Sequence, residues 1–378
     1  MSPFPGIDPI PLPGPVWVFK ALHLLTTALH FAAVELLLGS LLAAAFLNLL
    51  GSRSAGEAAR LRLGAAGALA RRLPIIMTYV INLGVPPLLF AQVLYGRAIY
   101  TSSVLIGAWW ISVIFLLMLC YWLLYRFAAR AEAGQSGWKG ALLSWLVAAA
   151  IAKIYSVNMT LMLRPEVWGD LYSAGAYGLK LPTGDPTVMP RWLLMIVGGL
   201  LMAGMWMIWL AGRQAMTADL AAYLRRQGAL LAVFTLPVLG AVAWWVMGAQ
   251  PAAVRAGLWQ SVLYQAGAGL WLGAAATAAV VAAASLAGKK PNFLAWLAMG
   301  AGVLMMSGWT LVRDGVRDLT LAAKGFAIQG PDLWGRAVAT NWSVLILFLV
   351  SLAAGLAVMG WLISVVMRAR TIEEGTKS

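Results

Sequence analysis

Nine apolar stretches, each about 20 residues or longer, constrain this chain more than any other feature. They cover residues 16–50, 73–95, 102–125, 141–163, 192–210, 229–247, 258–287, 293–312 and 338–367. A hydrocarbon core of about 30 Å takes about 20 helical residues to cross. Lipid offers no partner to a backbone N–H or C=O, so a spanning chain must be helical or a closed barrel. Stretches this long select helices. The expectation is an all-α polytopic integral membrane protein with nine transmembrane helices. Composition agrees: 62% of the 378 residues are apolar and 11% are charged, against roughly 25% charged in soluble domains. A soluble enzyme, a disordered chain and a secreted disulfide scaffold are excluded on these grounds. The first stretch exceeds what a bilayer needs, which predicts that it tilts or protrudes.

The basic residues supply an orientation. The segments that follow odd-numbered stretches hold sixteen Lys and Arg; the segments that follow even-numbered ones hold nine. Positive charge collects on the cytoplasmic side, so the N-terminus is expected outside and the C-terminus inside. The net charge of +14 is then mostly a topology signal, and nucleic acid is not an expected partner. The expected organisation is a Pro-rich external tail at 1–15, a four-helix half at 16–163, an external loop at 164–191, a five-helix half at 192–367 and a cytoplasmic tail at 368–378. The tail from Pro3 to Pro15 has no basic region and no cleavage site, which argues against a removed signal peptide. The external segments 164–191 and 313–336 carry Trp168, Tyr172, Tyr177 and Trp334 beside charges of both signs. That composition suits an interface with another protein.

Few residues can carry chemistry. One cysteine, Cys120, allows neither a disulfide framework nor a thiolate cluster, and there is no CxxCH, GxxxxGK[ST] or HExxH motif. The only histidines are His23 and His30. Seven residues apart, they share a face of the first helix, about 10.5 Å apart along its axis. Either imidazole could ligate a haem iron; the plain alternative is that both are hydrogen-bonded packing residues. Glu35 is the one acid inside a predicted span, and Lys153 lies within the fourth. Ionisable groups at such depth are expensive and point to function, so Glu35 and Lys153 are read either as a proton-relay or quinone element or as a structural ion pair. Pro86 and Pro87 in the second span predict a kink that frees carbonyls upstream. Met159 and Met162 offer sulfur ligands, although packing explains them as well; Tyr155 and Asn158 share the same stretch of the fourth span.

Local sequence resembles subunit I of the cytochrome bd quinol oxidases, over roughly the first 215 residues. Leu25-Thr26-Thr27-Ala28-Leu29-His30-Phe31-Ala32-Ala33-Val34, followed by Gly39, is similar to that family's first helix. There the matching histidine is an axial ligand of a high-spin haem. Ser144-Trp145-Leu146-Val147-Ala148 is similar to the start of its fourth helix, and Gly212-Arg213 to the end of its fifth. The resemblance implies a nine-helix bundle in a bacterial inner membrane, haem b at His30 and the quinol of the quinone pool as electron donor. The chain departs from the pattern too. No third histidine stands in the fifth span, no glutamate lies in 104–114, and the loop after the sixth span is short. The expectation is a divergent relative: a respiratory membrane subunit passing electrons between the quinone pool and an external c-type cytochrome, with up to two b-type haems. Two alternatives stay open, a haem-free membrane anchor for such a complex and a proton- or ion-translocating transporter using Glu35 and Lys153.

Overall fold

The computed structural model describes residues 3–7, 10–175, 177–213, 216–288 and 292–375. Among these the chain forms twelve α-helices: α1 (Val16–Ser52), α2 (Gly56–Ala70), α3 (Leu73–Leu105), α4 (Gly107–Glu132), α5 (Trp138–Leu161), α6 (Trp168–Ser173), α7 (Val188–Arg213), α8 (Ala218–Gly248), α9 (Ala252–Gln260), α10 (Val262–Leu286), α11 (Asn292–Ala323) and α12 (Trp342–Gly375). Nine helical segments are long and apolar enough to cross a membrane, α2 and α3 counting as one of them. Extended backbone at Ser261 (φ −104°, ψ 119°) splits the predicted 258–287 stretch into α9 and α10. Lys289, Lys290 and Lys377, which entered the orientation count, lie outside the described residues, as do Met1, Ser2, Asp8 and Pro9 of the tail and Ala176 of the 164–191 segment.

One boundary is corrected. The eighth span does not end at residue 312 in favour of a loop from Arg313. Helix α11 runs on to Ala323, and Asp314, Arg317 and Asp318 are buried in it. Hydropathy scores each side chain alone, so three charges read as water. In the fold they neutralise one another and a lysine from α1. Glu35 is therefore not the one acid within a helical span.

Helix α1 is the hub: it packs on α2, α3 and α5 and also on α7 and α11. One hydrophobic cluster accordingly runs from Phe4 to Leu333, through both sequence halves. A second cluster lies among α7, α8, α10 and α11 and contains Met202, Met205, Met305 and Met306. The α1–α7 crossing is backbone on backbone: a Cβ at Gly39 would sit 1.6 Å from the Gly199 carbonyl oxygen. Gly204 against Gly228 and Gly267 against Gly308 let α7–α8 and α10–α11 approach in the same way. Outward faces stay apolar, with Phe115 and Trp122 on α4, Phe234 and Trp244 on α8, and Leu347 and Trp361 on α12 all exposed. This surface suits lipid rather than water.

The N-terminal tail is tied down. Phe4 is buried edge-on between Trp168 (5.6 Å) and Phe326 (5.2 Å), and Leu12 forms a parallel bridge with Val338. Arg97 reaches the Pro5 carbonyl and pairs with Asp332. Tail, 164–187 segment and 324–341 segment thus close one end of the bundle, here termed the tail end.

Candidate functional site

Just inside the tail end, α1, α3 and α11 enclose a polar cluster. Asp314, Arg317 and Asp318 stand at i, i+3 and i+4, so they share one face of α11. Lys20 Nζ donates to Asp314 Oδ1 (2.8 Å) and Oδ2 (2.7 Å) and to Asp318 Oδ2 (2.7 Å). It also reaches the hydroxyl of Tyr95, which donates to Asp318 Oδ1 at 2.6 Å. Arg317 pairs with Asp314, and its guanidinium carbon lies 4.2 Å from the Tyr95 ring centroid. Two cations and two carboxylates make a neutral set, the condition under which buried charge is tolerable. The only non-helical φ/ψ within α3 is at Tyr95 (φ −129°, ψ 28°), whereas Pro86 and Pro87 stay helical. The kink expected at the prolines is therefore found two turns later, where it presents the phenol to the cluster.

His23 belongs to this cluster. Its Nδ1 is 3.0 Å from the Pro87 carbonyl, and its Nε2 is 2.8 Å from an Arg317 nitrogen. A guanidinium only donates, so Nε2 accepts and Nδ1–H donates. Both ring nitrogens are occupied, and no lone pair remains for iron. His30 differs. Its ring lies against Gly84 of α3, where a Cβ would come within 2.9 Å of Cε1. Its Nδ1 is buried and has no hydrogen-bond partner; the Val80 backbone stands nearby without reaching that geometry. The ring of Phe31 is 5.9 Å from that of His30, and the Arg313 guanidinium lies 4.9 Å from the Phe31 ring. Among the described residues no carboxylate pairs with Arg313.

Glu35 and Lys153 are not brought together. Lys153 Nζ lies 3.6 Å from Met189 Sδ and 5.0 Å from the Trp192 ring, at the start of α7. The Glu35 carboxyl lies against Gly198, where a Cβ would be 2.6 Å from Oε1. From Trp192 to Gly198 is about 9 Å along the helix. The lysine stem carries its charge toward the tail end, as long amphipathic side chains do, and away from the acid. Glu35 lines a small cavity with Gly198, Met202, Met205, Gly302, Met305 and Met306, and no hydrogen bond or ion pair reaches it among the described residues. On α5, Met162 is fully buried, Tyr155 stacks edge-on with Trp110 at 5.0 Å, and Asn158 bonds Ser103 at 3.2 Å, all as packing.

At the tail end a cavity of about 610 Å³ is walled by Leu161, Val167 and Leu171, with Arg164, Lys180 and Asp185 at its polar edge. Burial alone would raise the Asp185 carboxyl, yet hydrogen bonds from Thr187 and the Arg164 guanidinium hold it below the usual range. Glu166 is lowered in the same way: Arg164 and Lys324 outweigh burial.

The Lys20–Asp314–Asp318 cluster escaped the sequence reading. A signal was present, since Val312, Val316 and Leu319 keep an apolar i, i+4, i+7 stripe while Asp314, Arg317 and Asp318 share the opposite face. Among the described residues no group of three His, Cys, Asp or Glu could hold a metal. Neither protein-family models nor curated proteins match this chain.

Proposed function

We propose that the protein is an integral membrane subunit of a respiratory electron-transfer complex, with its N-terminus outside, which holds one b-type haem through His30 and passes electrons between a quinone and an external c-type cytochrome. One observation carries this reading. An imidazole with an orphaned buried nitrogen and a guanidinium without a carboxylate partner flank the same ring, Phe31. The donor set fits a haem, which needs an imidazole at its iron and a cation at its propionates. When bound, the haem would supply one-electron transfer. The bonds of His23 to Pro87 and Arg317 favour one haem over two. The neutral Lys20–Asp314–Arg317–Asp318 cluster, with Tyr95, ties α1 to α3 and α11 and so orients the helix that carries His30. The 610 Å³ cavity has the volume of a small-ligand site and is the place on this end for a quinone headgroup. Exposed Tyr172, Tyr177 and Leu179 beside it are the docking surface for the cytochrome.

The test is a reduced-minus-oxidised visible spectrum of the purified protein. A b-type signal is expected in the wild type and in His23→Asn, and its loss is expected in His30→Ala. No haem signal in the wild type would replace this reading with the haem-free anchor. A signal that survives in His30→Ala would remove His30 as the ligand. The orientation has its own readout: a reporter active only after export, fused behind Ser378, should stay silent.

A further inference from the structure

Glu35 takes no part in the haem reading, and its surroundings ask for a partner. The side chain is buried where α1 crosses α7, 5% exposed, with neither a donor nor a cation on its carboxyl among the described residues. It lines a cavity of about 10 Å³, room for one water-sized occupant. The rest of the wall is C–H and thioether: Met202 and Met205 from α7, and Met305 and Met306 from α11. Methionine is a common gap filler, but a filler does not explain a carboxylate aimed into the gap. Two glycines keep the space open. A Cβ at Gly198 would lie 2.6 Å from Glu35 Oε1, and one at Gly302 would lie 2.5 Å from Met202 Sδ.

The wall chemistry selects the occupant. A water needs two to four polar partners, and here it would find one carboxyl. Hard cations such as Na⁺, Mg²⁺ or Ca²⁺ require a shell of oxygens, which the wall does not offer. Thioethers are soft ligands and select Cu(I). Charge decides the same way. One carboxylate balances one monovalent ion, whereas a divalent ion would leave an uncompensated charge in a low-dielectric interior.

We propose that Glu35, with Met202, Met205, Met305 and Met306, forms a binding site for Cu(I). The site draws on three helices, α1, α7 and α11, and neither His30 nor Arg313 enters it. Its failure and the failure of the haem reading are therefore separate events.

The experiment uses the full-length protein in nanodiscs, titrated anaerobically with Cu(I) in competition with bicinchoninate. Copper K-edge absorption then reads the ligands. One Cu(I) per chain with sulfur and oxygen scatterers is expected, unaffected by excess Na⁺. Glu35→Gln and the paired Met202→Leu, Met305→Leu variant conserve volume; each should weaken Cu(I) binding by about tenfold or more. Loss of all Cu(I) from the wild type to the chelator would overturn the proposal. So would a wild-type absorption spectrum without sulfur ligands, a reading that needs no variant to fold. Unchanged affinity in the paired methionine variant would also overturn it.

Discussion

Lys20→Met isolates the charge on which the buried cluster depends. Methionine keeps most of the stem length and removes the ammonium. The wild-type set holds Lys20 and Arg317 against Asp314 and Asp318 and is neutral. The variant leaves two carboxylates facing one guanidinium, with Tyr95 as the remaining donor to Asp318. Removing one partner from a buried ion pair costs about 3–5 kcal/mol. Unfolding entropy of about 2.1 cal/mol/K per residue over 378 residues converts this to a fall in Tm of roughly 4–6 °C. The figure is a lower limit, because spanning helices keep their backbone bonds when they separate, so the true entropy is smaller. Adding Asp318→Asn restores neutrality, with Arg317 against Asp314. The double variant should regain about 1–3 kcal/mol over the sum of the single losses. The assay is thermal unfolding of purified protein, read by exposure of Cys120, which is buried, to a thiol-reactive dye. Strictly additive losses, or a Lys20→Met variant as stable as wild type, would refute the reasoning.

Gly39→Ala should destabilise by about 1–3 kcal/mol or more, because its Cβ meets the Gly199 carbonyl at 1.6 Å. Gly240→Ala, with nothing within 4 Å, should be neutral or gain about 0.4–1 kcal/mol; equal losses in the same unfolding assay would count against the α1–α7 crossing. The tail end should respond to acid with a defined sign. Asp185 has a folded pKa below its unfolded value of about 3.9, so its contribution is fully present above that value and is lost as pH falls through the lower, folded one. Amide protection in 164–188, measured by hydrogen exchange, should hold from pH 7 to 5 and fall only below about pH 4. Loss of protection between pH 7 and 5 would mean that Arg164 and Thr187 do not hold this carboxylate.

Much of the architecture was legible in the residues. The all-α class and the number of long apolar segments follow from apolar length alone, since a stretch as long as 192–210 satisfies its backbone in lipid as a helix. His30 and Glu35 stood out because polar groups are rare in such stretches. The end of α11 was not legible, because a per-residue scale cannot see that Asp314 and Asp318 meet Lys20, 294 and 298 positions earlier. Equal spacing hid the difference between the two histidines. His23 faces Pro87 and Arg317, while His30 faces a glycine.

The sequence by itself determined that nine helical segments among the described residues are long and apolar enough to cross a membrane, because backbone hydrogen bonding and side-chain hydropathy are local properties. Only the tertiary structure decided which charges meet. Lys153 turns to Met189 and Trp192, Lys20 finds two aspartates, and Glu35 is left among methionines. Those pairings depend on helix rotation and on glycine-to-glycine approach between distant segments, and no local pattern encodes either.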